Sequence, residues 1–135
     1  MKVITKNTDY AIRALVALSR HNGDFLSAKE IAERQDIPYE FLRKILNQLI
    51  KKDLVVSREG GLGGFHLKVA PSKIKLSDVI TIFQGNIQIS QCMFRQKICP
   101  QRSSCLLRKN ILRIEQKVAD EFDKITIEQL KREKG

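Results

Sequence analysis

No run of apolar residues in this chain approaches the ~20 that a membrane-spanning helix needs, although 42% of its 135 residues are hydrophobic. The opening, MKVITKNTDYAIRAL, has neither a long apolar stretch nor a small-residue cleavage site. No secretory signal is read, so a cytoplasmic protein without a membrane partner is expected. Histidine is scarce, with only His21 and His66. Two imidazoles leave little acid–base chemistry at neutral pH, and no nucleophile–base pair stands out, so an enzyme is not expected. Cysteine is confined to Cys92, Cys99 and Cys105. An odd number is a poor disulfide framework, and a cytosolic chain rarely keeps one. Internal repeats and low-complexity tracts are absent. Acidic residues are missing from Val79 to Ile114, where Arg95, Lys97, Arg102, Arg108, Lys109 and Arg113 all occur.

What is present is positive charge. Against 15 Asp and Glu stand 25 Lys and Arg, a formal net charge of +10. A surplus of this sign suits a polyanion, with nucleic acid the first candidate, although a basic surface also serves solubility. The length suits one domain plus an accessory element.

Along the chain, helical periodicity comes first. Ile12, Leu15, Val16 and Ser19 share one face of an opening helix, with Ala11, Leu18 and several alanines beside it and Asn7 or Thr8 as its cap. Ser27 and Glu30 form a capping-box pattern that starts a short second helix carrying Ala28, Ile31 and Ala32 inward. Asp36 and Ile37 turn the chain, and Pro38 suits the first position of a third helix. That helix extends to about Lys52. Phe41, Leu42, Ile45, Leu46 and Leu49 make its buried stripe, with Glu40, Arg43, Lys44, Asn47 and Lys51 opposite. Two helices, a tight turn and a polar-faced helix read as a helix-turn-helix.

Two β-like runs follow, Leu54 to Ser57 and Phe65 to Val69, joined through a glycine-rich loop that supplies the positive φ angles of a hairpin. This is a wing. The loop lacks the lysine–serine or lysine–threonine ending and the following helix of a nucleotide-binding loop. Ser77 and Asp78 begin a further helix to about Gln84. The cysteines come next, and a long helix starts near Ser103 or Ser104. On it Leu107, Ile111, Ile114, Val118 and Ile125 recur near heptad spacing, widened by Leu112 and Phe122. Such a stripe suits packing on a partner helix, giving a homodimer; packing on its own domain is the alternative. Thr126 and Gln129 suggest a short last helix. The expected fold is mainly α with a small β wing. Residues 1–75 form the winged helix-turn-helix, 76–102 a linker helix and cysteine loop, and 103–135 the dimerisation helix and a short C-terminal helix.

Three segments in this order resemble one family over nearly the whole chain: TKNTDYAIRAL, IPYEFLRKILNQLIKKDLVVSREGGLGGFHL, and the late C-x6-C-x5-C. The chain is similar to the Rrf-type winged-helix transcription regulators, the group that includes IscR, NsrR and CymR. The resemblance implies a dimeric DNA-binding regulator with a long C-terminal dimerisation helix. It further implies an iron–sulfur cluster on Cys92, Cys99 and Cys105, with 4Fe–4S favoured over 2Fe–2S. Thiolates hold such clusters, and the cations around them would lower thiol pKa values. The histidine that follows the last cysteine in IscR-like members is replaced by Arg108, which cannot ligate iron. In NsrR-like members a carboxylate of the first helix completes the set across the dimer, and the matching residue is Asp9. A carboxylate in a first helical turn is also favoured by the helix dipole alone. The implied signal is nitric oxide, redox state or iron and cluster supply. Two readings without a cluster stay open: a thiol redox sensor acting through reversible cysteine oxidation, and a structural zinc site, which the wide cysteine spacing disfavours.

The partner implied is double-stranded DNA with a pseudo-palindromic operator. Tyr39, Glu40, Arg43, Lys44 and Asn47 are the candidates for the major groove; the position of the family's base-reading glutamate is Arg43 here. Ser27 and Lys29 at a helix N-terminus suit a backbone phosphate. Arg58, His66 and Lys68 would set the wing against the flanking backbone or minor groove. The family's minor-groove arginine directly before the wing glycine is replaced by Glu59, with Arg58 one place earlier.

Overall fold

The computed structural model describes residues 3–21, 25–61, 63–87 and 106–132. Thr5 caps the first helix, α1 (Lys6–Arg20), accepting a hydrogen bond from the Thr8 amide at 3.4 Å. The cap thus falls two or three residues before the Asn7 or Thr8 expected from the pattern, and Thr8 is a buried helical residue. On the expected face of α1, Leu15 and Ser19 are buried, and so are the residues beside it. Ala11, Ala14, Leu15, Ala17 and Leu18 are all buried while Ile12 and Val16 are only half-buried. The reason is that α1 is surrounded: it touches α2, α3, α4 and α6. Alanine at three of these positions permits close approach from several sides.

Helix α2 (Ala28–Gln35) starts at Ser27, whose Oγ accepts from the Glu30 amide at 3.1 Å. Asp36 closes it in the left-handed conformation, φ 52°, a region that aspartate tolerates better than most residues. Helix α3 (Tyr39–Lys51) follows, with Pro38 just outside as its N-cap rather than inside its first turn. Leu42, Ile45, Leu46 and Leu49 are buried as the periodicity requires. Phe41 is the exception at 48% exposure. It lies one residue off the buried row, beside a groove shared with Asn7, Lys44, Gln48, Ile82 and Phe83.

Strands β1 (Val55–Arg58) and β2 (Gly64–Leu67) pair antiparallel, with Val55 opposite Leu67 and Arg58 opposite Gly64. Leu26, between α1 and α2, adds a bridge to Phe65 through backbone bonds of 2.9 and 2.8 Å, so the hairpin is stitched to the helical body. After a 3-10 turn at Pro71–Lys73 comes α4 (Leu76–Gln84), one residue longer at its start than expected, with Asp78 accepting from the Lys75 amide at 3.2 Å.

Helix α5 (Leu106–Asp123) is the long one, and α6 (Ile127–Arg132) ends the described chain. Thr126 and Gln129 exchange the two capping bonds the sequence suggests, each at 3.3 Å. Helix α6 returns to the winged part of the chain. Ile127 is fully buried in the same core as Leu15 and Leu46. Backbone bonds join Ile127 to Ile74 and Leu76 to Ile125, both at 2.9 Å.

Candidate nucleic-acid interface

Helix α3 is the candidate interface because its two faces differ so sharply. With its leucines committed to the core, Tyr39, Arg43 and Asn47 form an outward row at four-residue spacing, and Glu40 and Lys44 form the neighbouring row. All five are exposed. The Arg43 guanidinium lies 5.9 Å from the Tyr39 ring centroid, so the aromatic face braces a charge that would otherwise sweep solvent.

Ser27 is spent as the cap of α2, with Lys29 exposed one residue into the helix. On the wing, the Arg58 guanidinium lies 4.3 Å from the Phe25 ring centroid. His66 Nδ1 is 2.8 Å from the Leu67 carbonyl oxygen. Lys68 is engaged by Asp53 at 3.0 Å, so to meet a phosphate it would have to exchange one anion for another. The sequence reading identified Arg58 and His66 separately; it gave no role to Phe25, which stands between them. A lone aromatic in a loop carries no periodic signal.

Cys92, Cys99 and Cys105 lie outside the described residues. Among the described residues no three His, Cys, Asp or Glu side chains converge as a metal site. Asp9 sits in the first turn of α1, its Oδ2 3.1 Å from Arg13 and its side chain 45% exposed. It is thus reachable, and it carries its own counter-ion.

Near Asp9, Gln84 ties two elements together. Its Oε1 accepts from the Thr5 amide at 3.0 Å and from the Thr8 hydroxyl at 2.7 Å, while its Nε2 donates to the Val3 carbonyl at 2.7 Å. The last residue of α4 is thereby fastened to the first turn of α1. No helix among the described residues is long and apolar enough to cross a membrane.

A helix pair, an outward-facing polar helix and a tethered two-stranded hairpin define a winged helix-turn-helix protein. The profile of the Rrf2 family, described as an iron-dependent transcriptional regulator, matches residues 4–133. The chain belongs to the Rrf2 family and is a transcription regulator. The HTH-type transcriptional repressor NsrR of Streptomyces coelicolor is 26% identical over 129 residues, covering 94% of this chain and 86% of that one. Among solved structures, CymR, the global cysteine regulator of B. subtilis, superposes with a TM-score of 0.80 at 24% identity, over 97% of each chain. IscR of T. potens gives 0.77 at 24% identity, over 96% of this chain and 85% of that one. These two neighbours establish the winged fold.

Proposed function

We propose that the protein is a homodimeric, DNA-binding regulator whose operator affinity is set by an iron–sulfur cluster. The observation that carries the DNA half is the exposed double row of α3, Tyr39, Arg43 and Asn47 beside Glu40 and Lys44, next to a wing bearing Arg58 and His66. Arginine can grip a guanine edge and asparagine an adenine edge, each through two hydrogen bonds. Arg43→Ala is expected to cost about 1–3 kcal/mol on the selected duplex and to relax one base position. An equal loss on every sequence, measured by fluorescence anisotropy, would reduce Arg43 to a phosphate contact. Lys29→Ala and Lys68→Ala are each expected to weaken binding to all DNA. Each should also flatten the dependence of log K on log salt by about one unit. An unchanged slope would leave that lysine as idle surface.

Dimerisation is supported by α5. Leu107 and Ile114 are 64% and 42% exposed in the single chain, while Phe122 near its far end and Ile125 just beyond it pack on the chain's own core. Leu107, Ile111, Ile114 and Val118 would pack on the same helix of a second copy, giving a two-fold pair that reads half-sites about one helical turn or a multiple apart. Light scattering at micromolar concentration should give twice the chain mass, and Ile114→Glu should halve it. A wild-type monomer would overturn the arrangement.

The cluster reading rests on the donor set: three thiols within one short segment and the reachable carboxylate of Asp9. When bound, such a group supplies a redox- and ligand-sensitive iron centre. Cys92, Cys99 and Cys105 would hold it, with Asp9 of the second copy as fourth ligand. Arg13, now 3.1 Å from Asp9, would share or release that carboxylate. A cluster-free thiol sensor is the second reading, favoured by the same three cysteines, and colour under anaerobic purification separates the two.

A further inference from the structure

Phe25 sits where two candidate wing residues meet. The Arg58 guanidinium carbon is 4.3 Å from its ring centroid, and the His66 ring is 5.5 Å away, tilted by 41°. The hairpin register explains the cluster. Arg58 is opposite Gly64 and Val56 opposite His66, so strand alternation puts these four on one face. A Cβ built at Gly64 would lie 2.5 Å from the Leu26 carbonyl oxygen, so the missing side chain admits the Leu26 backbone alongside β2. Leu26 is fixed in turn by its two backbone bonds to Phe65. Phe25, the residue before it, is therefore carried by the sheet itself and held over the wing's outer face.

We propose that Phe25 is a positioning residue for DNA recognition, holding the Arg58 guanidinium ready for the minor groove beside the bases read by α3. The inference rests on the winged-domain reading above and deepens it. An arginine stem has many rotamers, and ordering it on binding costs affinity. A planar guanidinium stacked on a ring has surrendered part of that freedom beforehand. A narrow A·T-rich minor groove concentrates negative potential and draws in arginine. The contact therefore acts on the choice of flanking sequence rather than on the bases facing α3.

The test uses the full-length, anaerobically purified protein and the duplex it selects from a randomised pool, prepared with A·T-rich and with G·C-rich flanks. Wild type is expected to prefer the A·T-rich flanks. Phe25→Leu, which keeps bulk but loses the ring face, should shrink that preference about two- to fivefold, the worth of an exposed cation–π contact. Discrimination at the central bases should not change. Phe25→Tyr should restore the preference, which also guards against a misfolded leucine variant. Arg58→Ala should abolish it, and adding Phe25→Leu to Arg58→Ala should cost nothing more. Equal weakening by Phe25→Leu on both flanks, or the same loss with and without Arg58, would overturn the positioning role while leaving the wing contact standing. If Arg58→Ala leaves the flank preference unchanged, or wild type has none, the wing's minor-groove contact falls and the inference falls with it.

Discussion

Anaerobically purified protein is expected to be brown, and any one of Cys92→Ala, Cys99→Ala and Cys105→Ala to be colourless and free of iron. The effect is expected to be large because the proposed cluster would be held by only three thiolates, so each substitution removes a third of its sulfur ligands. Absorption spectra with iron and sulfide counts read the result. Asp9→Ala is expected to behave differently. It should keep the iron or weaken its retention, while the affinity for DNA no longer follows whether iron is present. If Asp9→Ala left both the spectrum and the signal response of DNA binding untouched, the carboxylate would be only a dipole-stabilising residue of α1. A colourless wild type whose DNA affinity responds to a thiol oxidant would establish the cluster-free sensor instead.

The second large effect is on stability. Ile127→Ala should destabilise the protein by about 2–5 kcal/mol, the range for truncating a buried isoleucine or leucine without collapse of the cavity. Against a total stability of about 5–15 kcal/mol, that loss is plain in a urea melt. A substitution at a surface position would change stability by less than about 0.5 kcal/mol. A change that small would mean that α6 does not belong to the core it occupies here.

These elements also show what the sequence could and could not disclose. Helix α3 was legible because it has one core side: Leu42, Ile45, Leu46 and Leu49 repeat at helical spacing and all are buried. The outward candidates Tyr39, Glu40, Arg43, Lys44 and Asn47 followed from the same period. Phe41 misled because periodicity counts it as apolar at the stripe's edge, while the helix turns it toward the groove by Ile82 and Phe83. Helix α1 misled for the opposite reason. A one-sided pattern cannot represent a helix contacted by four others, so the burial of Thr8, expected as a cap, went unread. The stripe on α5 is continuous in sequence but changes partner along its length, exposed at Leu107 and docked at Phe122. Gln84 and Phe25 left no trace at all. Each acts through residues distant in sequence, Gln84 across 79 positions to Thr5, and single-sequence patterns register only neighbours.

The docking of α6 turns α5 into a lever. Its C-terminal end is clamped to the winged body by the Ile127 core contact and by the backbone bridge between Lys75 and Thr126. Its opposite end begins where the cysteine segment stops. At ~1.5 Å per residue the 18-residue arm is ~27 Å long. A rotation of about 5° at the clamp then equals roughly 2 Å of travel at the tip, for an arm of that length. A displacement at the Leu106 end would therefore reach the winged body as torque.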